Sequence, residues 1–274
     1  MTPNPTARLA RLFVLLVLPW PAFAAQSPTD IWASLLKPHH FGDTEIIEDK
    51  TVIDLVTPYR AEDASVTPVH VKAMIDQTAE RHIERIFLFV DKNPEPLVGK
   101  FDFTREVGRA DLALRIRVDK YTNVRAVAVL NTGEHHMVAN FVKAQGGCAI
   151  PLTIDYKAAM ANIGKVQMRL LEPDEPAASK VTQLRVRHPN LTGMQMDYKI
   201  YAVRPAHYVQ KIKVSLDGRP LMTAETGISV SEDPSFRFFL KADATGELTA
   251  EITDSKGSTW TETIAVETGA AQSS

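Results

Sequence analysis

A chain of 274 residues, 45% apolar and 23% charged, can bury one or two hydrophobic cores and lacks the charge excess and apolar poverty of a disordered polypeptide. Its formal net charge of -2 gives no electrostatic footprint for nucleic acid or an anionic membrane surface, which sets those partners aside. The single cysteine, Cys148, rules out an internal disulfide, so stability has to come from packing.

The chain opens with Arg8 and Arg11, the apolar run Leu12–Leu18, Pro19–Pro21 and the small-residue site Ala22-Phe23-Ala24 before Ala25. This patterning predicts a cleavable secretory signal peptide over residues 1–24, with a retained anchor as the alternative. Its apolar core is too short to span a bilayer, and no later stretch is long enough. Arg8 and Arg11 are not adjacent, which argues for general secretion. In an oxidising compartment structural cysteines come in pairs, so a lone one points to an intermolecular bond, a covalent adduct or a working thiol.

A lead-in segment, 25–45, follows, in which Ser27-Pro28-Thr29-Asp30 caps a short helix over Ile31–Leu36 that Pro38 should stop. From about Glu45 the apolar period becomes two. Val69–Ile75, Ile86–Val90, Leu112–Val118, Val124–Leu130 and Met137–Val142 predict strands, several half-buried, with turns at Asn93-Pro94, Val107-Gly108 and Asn131-Thr132-Gly133. Asp155–Lys165 favours a helical turn within a linker. Strands resume at Val166–Leu170, Leu184–His188 and Ile212–Leu216, with a hairpin signal at Asp217-Gly218. Phe236–Leu240, Leu248–Thr253 and Trp260–Val266 complete a second set. The fold expected from this pattern is all-β, a pair of antiparallel sandwiches. The domains are then 46–147, a cysteine-bearing linker 148–163, a second domain 164–268 and a disordered tail 269–274.

The linker carries the chemistry. Gln145-Gly146-Gly147-Cys148 follows a strand and precedes Pro151. Free cysteine is among the most buried residue types and often acts as a small hydrophobe. The paired glycines and the proline are turn chemistry, however, and favour an exposed thiol on a mobile arm. Lys143 and Lys157 lie near enough in sequence to help ionise it. The histidine pairs His39-His40 and His135-His136 are poor metal candidates, because adjacent strand residues face opposite sides. His188 before Pro189 suits a structural turn, Met194 and Met196 suit packing, and Asn190-Leu191-Thr192 fits a glycosylation sequon that is common by chance. No catalytic triad, paired-carboxylate motif, phosphate loop or cofactor fingerprint emerges, so neither a metal nor a cofactor is predicted.

Ile86–Cys148, with IFLFVDKNPEPLVGKFDF, DLALRIRV, NVRAVAV and the closing GGC, resembles SoxY, the sulfur-substrate carrier of bacterial thiosulfate oxidation. Val181–Val266 resembles its partner SoxZ through LRVRHPNLTGMQMD, the SLDGRPL hairpin, GISVSEDPSFRF and ITDSKG. Their order on one chain is similar to the SoxYZ-like fused carriers associated with quinoprotein alcohol dehydrogenases. The resemblance implies two immunoglobulin-like β-sandwich domains joined by a Gly-Gly-Cys linker. It also implies a periplasmic, non-catalytic protein in which Cys148 attaches the substrate, a sulfur species, and Gly146 and Gly147 act as its swivel. The implied partners are periplasmic sulfur-oxidation enzymes or a quinoprotein dehydrogenase with its cytochrome, together with pairing of the two domains within the chain. One departure stands out: the SoxY cysteine ends its chain within GGCGG, whereas here Ala149-Ile150-Pro151 follow and the chain runs on. The alternative readings are a docking protein for the quinoprotein system, with Cys148 incidental, and a thiol redox or sulfur-transfer enzyme, for which a resolving cysteine is missing. The carrier reading requires the sulfur to reach solvent.

Overall fold

The computed structural model describes residues 30–152, 155–171 and 179–267. The expected signal peptide and tail, the start of the lead-in segment and residues 153–154 of the linker lie outside the described residues.

The lead-in segment is helical, and Pro38 does not end it. Trp32–Leu36 forms a wide turn in which the Lys37 N–H reaches back to the Trp32 carbonyl, and α1 (Lys37–Phe41) carries Pro38 in its first turn. The wide turn directly before it is where the helix departs from regular α geometry, which lets it run on past a residue that has no N–H to donate. Trp32, Leu36 and Phe41 pack against Phe89, Val127 and Met137 as a small cluster apart from the main core. The Arg125 guanidinium lies 5.0 Å from the Trp32 ring centroid.

The first half then lays down β1 (Ile47–Glu48), β2 (Ile53–Val56), β3 (Thr67–Ala73), β4 (Ile83–Val90), β5 (Leu97–Phe103), β6 (Val107–Ile116), β7 (Thr122–Leu130) and β8 (His135–Val142). After α2 (Tyr156–Ala161), capped by the Asp155 carboxylate, come β9 (Val166–Leu171), β10 (Ser179–Val186), β11 (Met196–Asp197) and β12 (Ala202–Val203). The chain closes with β13 (Val209–Leu216), β14 (Arg219–Thr226), β15 (Ser235–Lys241), β16 (Gly246–Asp254) and β17 (Thr259–Val266). Strand makes up 52% of the chain and helix 7%, so the all-β, immunoglobulin-like sandwich expectation holds. Among the described residues no helix is long and apolar enough to cross a membrane.

The two halves are more intimately joined than a linker between sandwiches implies. One sheet runs β1-β8-β7-β4-β5-β14-β13-β16-β17 and the other β2-β3-β6-β15-β10-β9, so each crosses from the first half to the second. The seams are antiparallel pairs, β5 with β14 and β6 with β15. Both seams need a residue without a side chain. A Cβ on Gly99 would stand 2.8 Å from the Glu225 carbonyl oxygen, and one on Gly108 would stand 2.3 Å from that of Leu240. Val107-Gly108 is therefore not a turn, as its dipeptide suggested, but part of β6 at a point where another backbone comes close. Between the sheets lies one continuous apolar core, to which Ile86, Leu112 and Phe101 of the first half and Phe236, Phe238 and Ile252 of the second all contribute. Each such side chain contributes about 1.5–3 kcal/mol by leaving water. Pairing within the chain thus makes the two halves one folding unit, with the Cys148 loop beside their junction.

Candidate functional site

Strand β8 ends at Val142, and the chain then crosses the end of the first half's sheets. Gly146 N–H donates to the Asp119 carbonyl at 2.8 Å and Gly147 N–H to that of Val118 at 3.1 Å, which pins the loop to the segment leaving β6. With φ at +78°, Gly146 lets the backbone fold back so that its carbonyl accepts from Ala149 N–H at 3.0 Å and Ile150 N–H at 3.2 Å. That tight turn points Cys148 inward while Gln145 and Ala149 stay exposed.

The expectation of a free thiol on a mobile arm is corrected. Cys148 is 0% exposed. Gly147 is no open swivel in this arrangement, since a Cβ there would stand 2.1 Å from the Ala64 carbonyl oxygen and 2.7 Å from that of Val118. The glycine permits close approach of three backbone segments, a use of Gly-Gly that sequence alone cannot separate from flexibility. Burial pushes the Cys148 thiol up to about 12, the Asp119 carboxylate adds to the rise, and Arg117 opposes it. At neutral pH the sulfur is therefore a protonated thiol and, as it stands, a poor nucleophile.

The residue beside it is unusual. Arg117 is 1% exposed and has no carboxylate within ion-pairing distance among the described residues. Its guanidinium donates to two backbone carbonyls, Gly147 at 3.3 Å and Asn190 at 3.3 Å, and its Nε has no partner. Burial lowers its pKa, while Glu232, Cys148 and Asp63 act in the other direction through space. Asn93 braces this corner: its side-chain amide donates to the Arg117 carbonyl at 2.8 Å and its Oδ1 accepts from Asp119 N–H at 2.8 Å. From the second half Thr192 closes the loop, its hydroxyl donating to the Cys148 carbonyl at 2.7 Å.

Next to the loop is a cavity of about 330 Å³ lined by Pro151, Leu152, Tyr156, Leu191, Gln195 and residues of the β11–β12 hairpin. Cys148 does not line it. The hairpin is held over α2 by an ion pair between Lys199 and Asp155 and by Arg204, whose guanidinium lies 3.7 Å from the Tyr156 ring centroid. The hairpin tip, Tyr198 to Tyr201, is exposed.

Lys143 lies over the Tyr59 ring at 4.7 Å and Lys157 is exposed on α2, and neither acts on the thiol. Of the histidines, His136 meets Asp49 and His135 meets the Gly133 carbonyl, each its own neighbour. Asn190 of the sequon is 0% exposed, with its side-chain amide bonded to the Val230 carbonyl and Val209 N–H, so it offers no glycan site in the fold.

His188 proves to belong to a buried group with His207 and Asp254, whose possible ligand atoms lie within 4.8 Å of one another. The hydrogen bonding does not fit a metal. Asn190 N–H donates to His188 Nδ1 at 3.0 Å, so the neutral ring carries its proton on Nε2, the atom facing Asp254 at 3.7 Å. A ligating imidazole would need the lone pair there and the proton on Nδ1. Burial first, and His207 second, lower the His188 pKa to about 4, which keeps the ring neutral. His207 Nε2 meets Asp254 Oδ2 at 2.6 Å, and Asp254 Oδ1 accepts from Lys256 and Ser258 N–H, both at 2.9 Å.

Comparison with known proteins places these features. The family described as sulfur oxidation protein SoxY matches residues 37–148, and that described as sulphur oxidation protein SoxZ matches 169–265. Among solved structures, the sulfur carrier protein SoxY from Chlorobium limicola f thiosulfatophilum is 26% identical over 40% of this chain and 88% of its own, with a TM-score of 0.32. A superoxide reductase (neelaredoxin) from Ignicoccus hospitalis is 14% identical over 34% of this chain and 79% of its own, with a TM-score of 0.30. No curated protein matches the chain. On the strength of the two consecutive family matches, the chain belongs to the sulfur-oxidation carriers as a fusion, a SoxY module followed by a SoxZ module on one polypeptide.

Proposed function

We propose that the protein is a periplasmic carrier that holds a sulfur species covalently on Cys148 and presents it to partner enzymes, without turnover of its own. In this reading the thiol rests in a closed form and is loaded and offered when the loop around 145–150 lifts. The observation that carries it is the place of Cys148: the SoxY match closes on this residue, in a surface loop whose flanking Gln145 and Ala149 are already exposed. Only a short segment has to move. Among the described residues five hydrogen bonds hold that segment: Gly146, Gly147 and Cys148 N–H donate out of it, and Arg117 and Thr192 donate into it. At about 0.5–1.5 kcal/mol net each, they put opening at roughly 2.5–7.5 kcal/mol, inside the range of local unfolding. Once open, the thiol regains an ordinary pKa and can attack a sulfur donor.

The test is the intact mass of the protein after exposure to tetrathionate. The Cys148 thiolate attacks the central S–S bond, its Sγ bonds to one central sulfur, thiosulfate leaves with the electron pair, and the thiol proton goes to water. The expected result is one adduct per chain, absent in Cys148→Ser. A mass that never rises above that of the processed polypeptide removes the carrier reading.

A second reading has its own observation. Full burial of Cys148 and its raised pKa favour a structural cysteine in an accessory protein that docks onto a periplasmic quinoprotein alcohol dehydrogenase system. Full biological function of Cys148→Ser would select it. The export expected from residues 1–24 underlies both readings.

A further inference from the structure

We propose that Arg117 receives a negatively charged group carried on Cys148, so that the closed site favours anionic sulfur cargo over neutral adducts. The inference rests on the carrier reading, and it assigns a residue that the sequence analysis did not single out. A lone buried cysteine carries little by itself. The second, independent observation is the state of the arginine: 1% exposed and, among the described residues, two hydrogen bonds of 3.3 Å for five N–H donors, and an Nε with none.

A buried guanidinium ordinarily meets a carboxylate, because an uncompensated charge out of water is costly. This protein builds such a pair elsewhere: Arg125, also buried, holds the Asp91 carboxylate with Nε at 2.9 Å and 3.0 Å. Among the described residues Arg117 has no carboxylate bonded to it in this way, and Glu232 and Asp63 act on it through space. The group in contact with the Cys148 segment is the Nη1 bonded to the Gly147 carbonyl, one residue from the sulfur. The neutral thiol supplies no charge. A sulfur-bound sulfonate supplies one negative charge and up to three acceptor oxygens, which matches the donors left over.

The experiment compares two adducts in two proteins. Tetrathionate leaves an anionic Cys–S–S–SO3 group, with thiosulfate as leaving group. Methyl methanethiosulfonate leaves a neutral Cys–S–CH3 group, with methanesulfinate as leaving group. The readout is the rate at which dithiothreitol strips each adduct from the wild type and from Arg117→Met, followed by intact mass. The anionic adduct should be released at least about tenfold faster from Arg117→Met than from the wild type, a difference of about 1.4 kcal/mol, while the neutral adduct leaves both at one rate. Arg117→Lys, which keeps the charge, should restore part of the protection and guards against a folding defect in the methionine variant. Equal ratios for the two adducts overturn the role of Arg117 and leave the carrier reading standing. If neither reagent loads the wild type, the carrier reading falls, and this inference with it.

Discussion

Two buried polar clusters sit on either side of Asn190 and treat buried charge in opposite ways. Its backbone N–H donates to His188, and its carbonyl accepts from Arg117. On the histidine side the charged group, Asp254, is fully engaged: both backbone amides and the His207 ring bond it at 2.6–2.9 Å. The atoms left over there, His188 Nε2 and His207 Nδ1, belong to imidazole rings. On the cysteine side the charged group itself is short of partners. The contrast teaches that this core can satisfy an ionised side chain where the role is structural, and that Arg117 departs from that pattern, which is the ground for the role proposed for it.

The comparison can be broken at its stronger end first. Asp254→Ala removes three hydrogen bonds and leaves two buried histidines facing each other, with ring centroids 4.6 Å apart. A loss of about 3–5 kcal/mol is expected in urea denaturation. A loss below about 1 kcal/mol would mean the cluster does not hold the second half together. Acid should act through the same cluster. Because the His188 pKa is lowered to about 4 from 6.5, the unfolded chain binds the proton more readily, and stability falls as pH drops from 6.5 towards 4. The contribution at stake is about 3 kcal/mol. His188→Asn, which keeps an acceptor for the Asn190 N–H, should flatten that part of the curve, and an unchanged slope would place the acid sensitivity elsewhere. The smallest effect lies on the cysteine side, where Thr192→Val deletes the hydroxyl that bonds the Cys148 carbonyl. It should cost about 1 kcal/mol.

Much of the architecture was legible in the sequence because it depends on period and turn chemistry. Alternation marked β3 and β13, whose buried positions are Thr67, Val69, Val71 and Ala73 in the one and Val209, Ile212, Val214 and Leu216 in the other. Asp217-Gly218 forms the expected hairpin turn, with φ of +48° and +74°. The shared sheets were not legible, since strand pairing between halves depends on edges meeting in space, and Gly99 and Gly108 mark those edges only in retrospect. At the site, the sequence singled out Cys148 and its glycines and missed their setting. The strand expected over Leu112–Val118 ends at Ile116, and Ile116, Arg117 and Val118 are all buried, so nothing in the alternation of DLALRIRV singles out Arg117. Alternation holds only inside a strand. His207 and Asp254 lie 47 residues apart, and no local pattern joins them.

The central claim is that a sealed thiol can be reached by opening one loop. Its most direct test is the alkylation rate of Cys148 by iodoacetamide in the native protein, measured across low urea concentrations. A local opening predicts a rate below that of the unfolded chain by a factor on the order of 10² to 10⁵, nearly flat in low urea, and raised about five- to tenfold by Thr192→Val. A rate that climbs with urea from the outset, in step with global unfolding, would show that the sulfur is reached only when the whole fold is lost, and the carrier account would be contradicted.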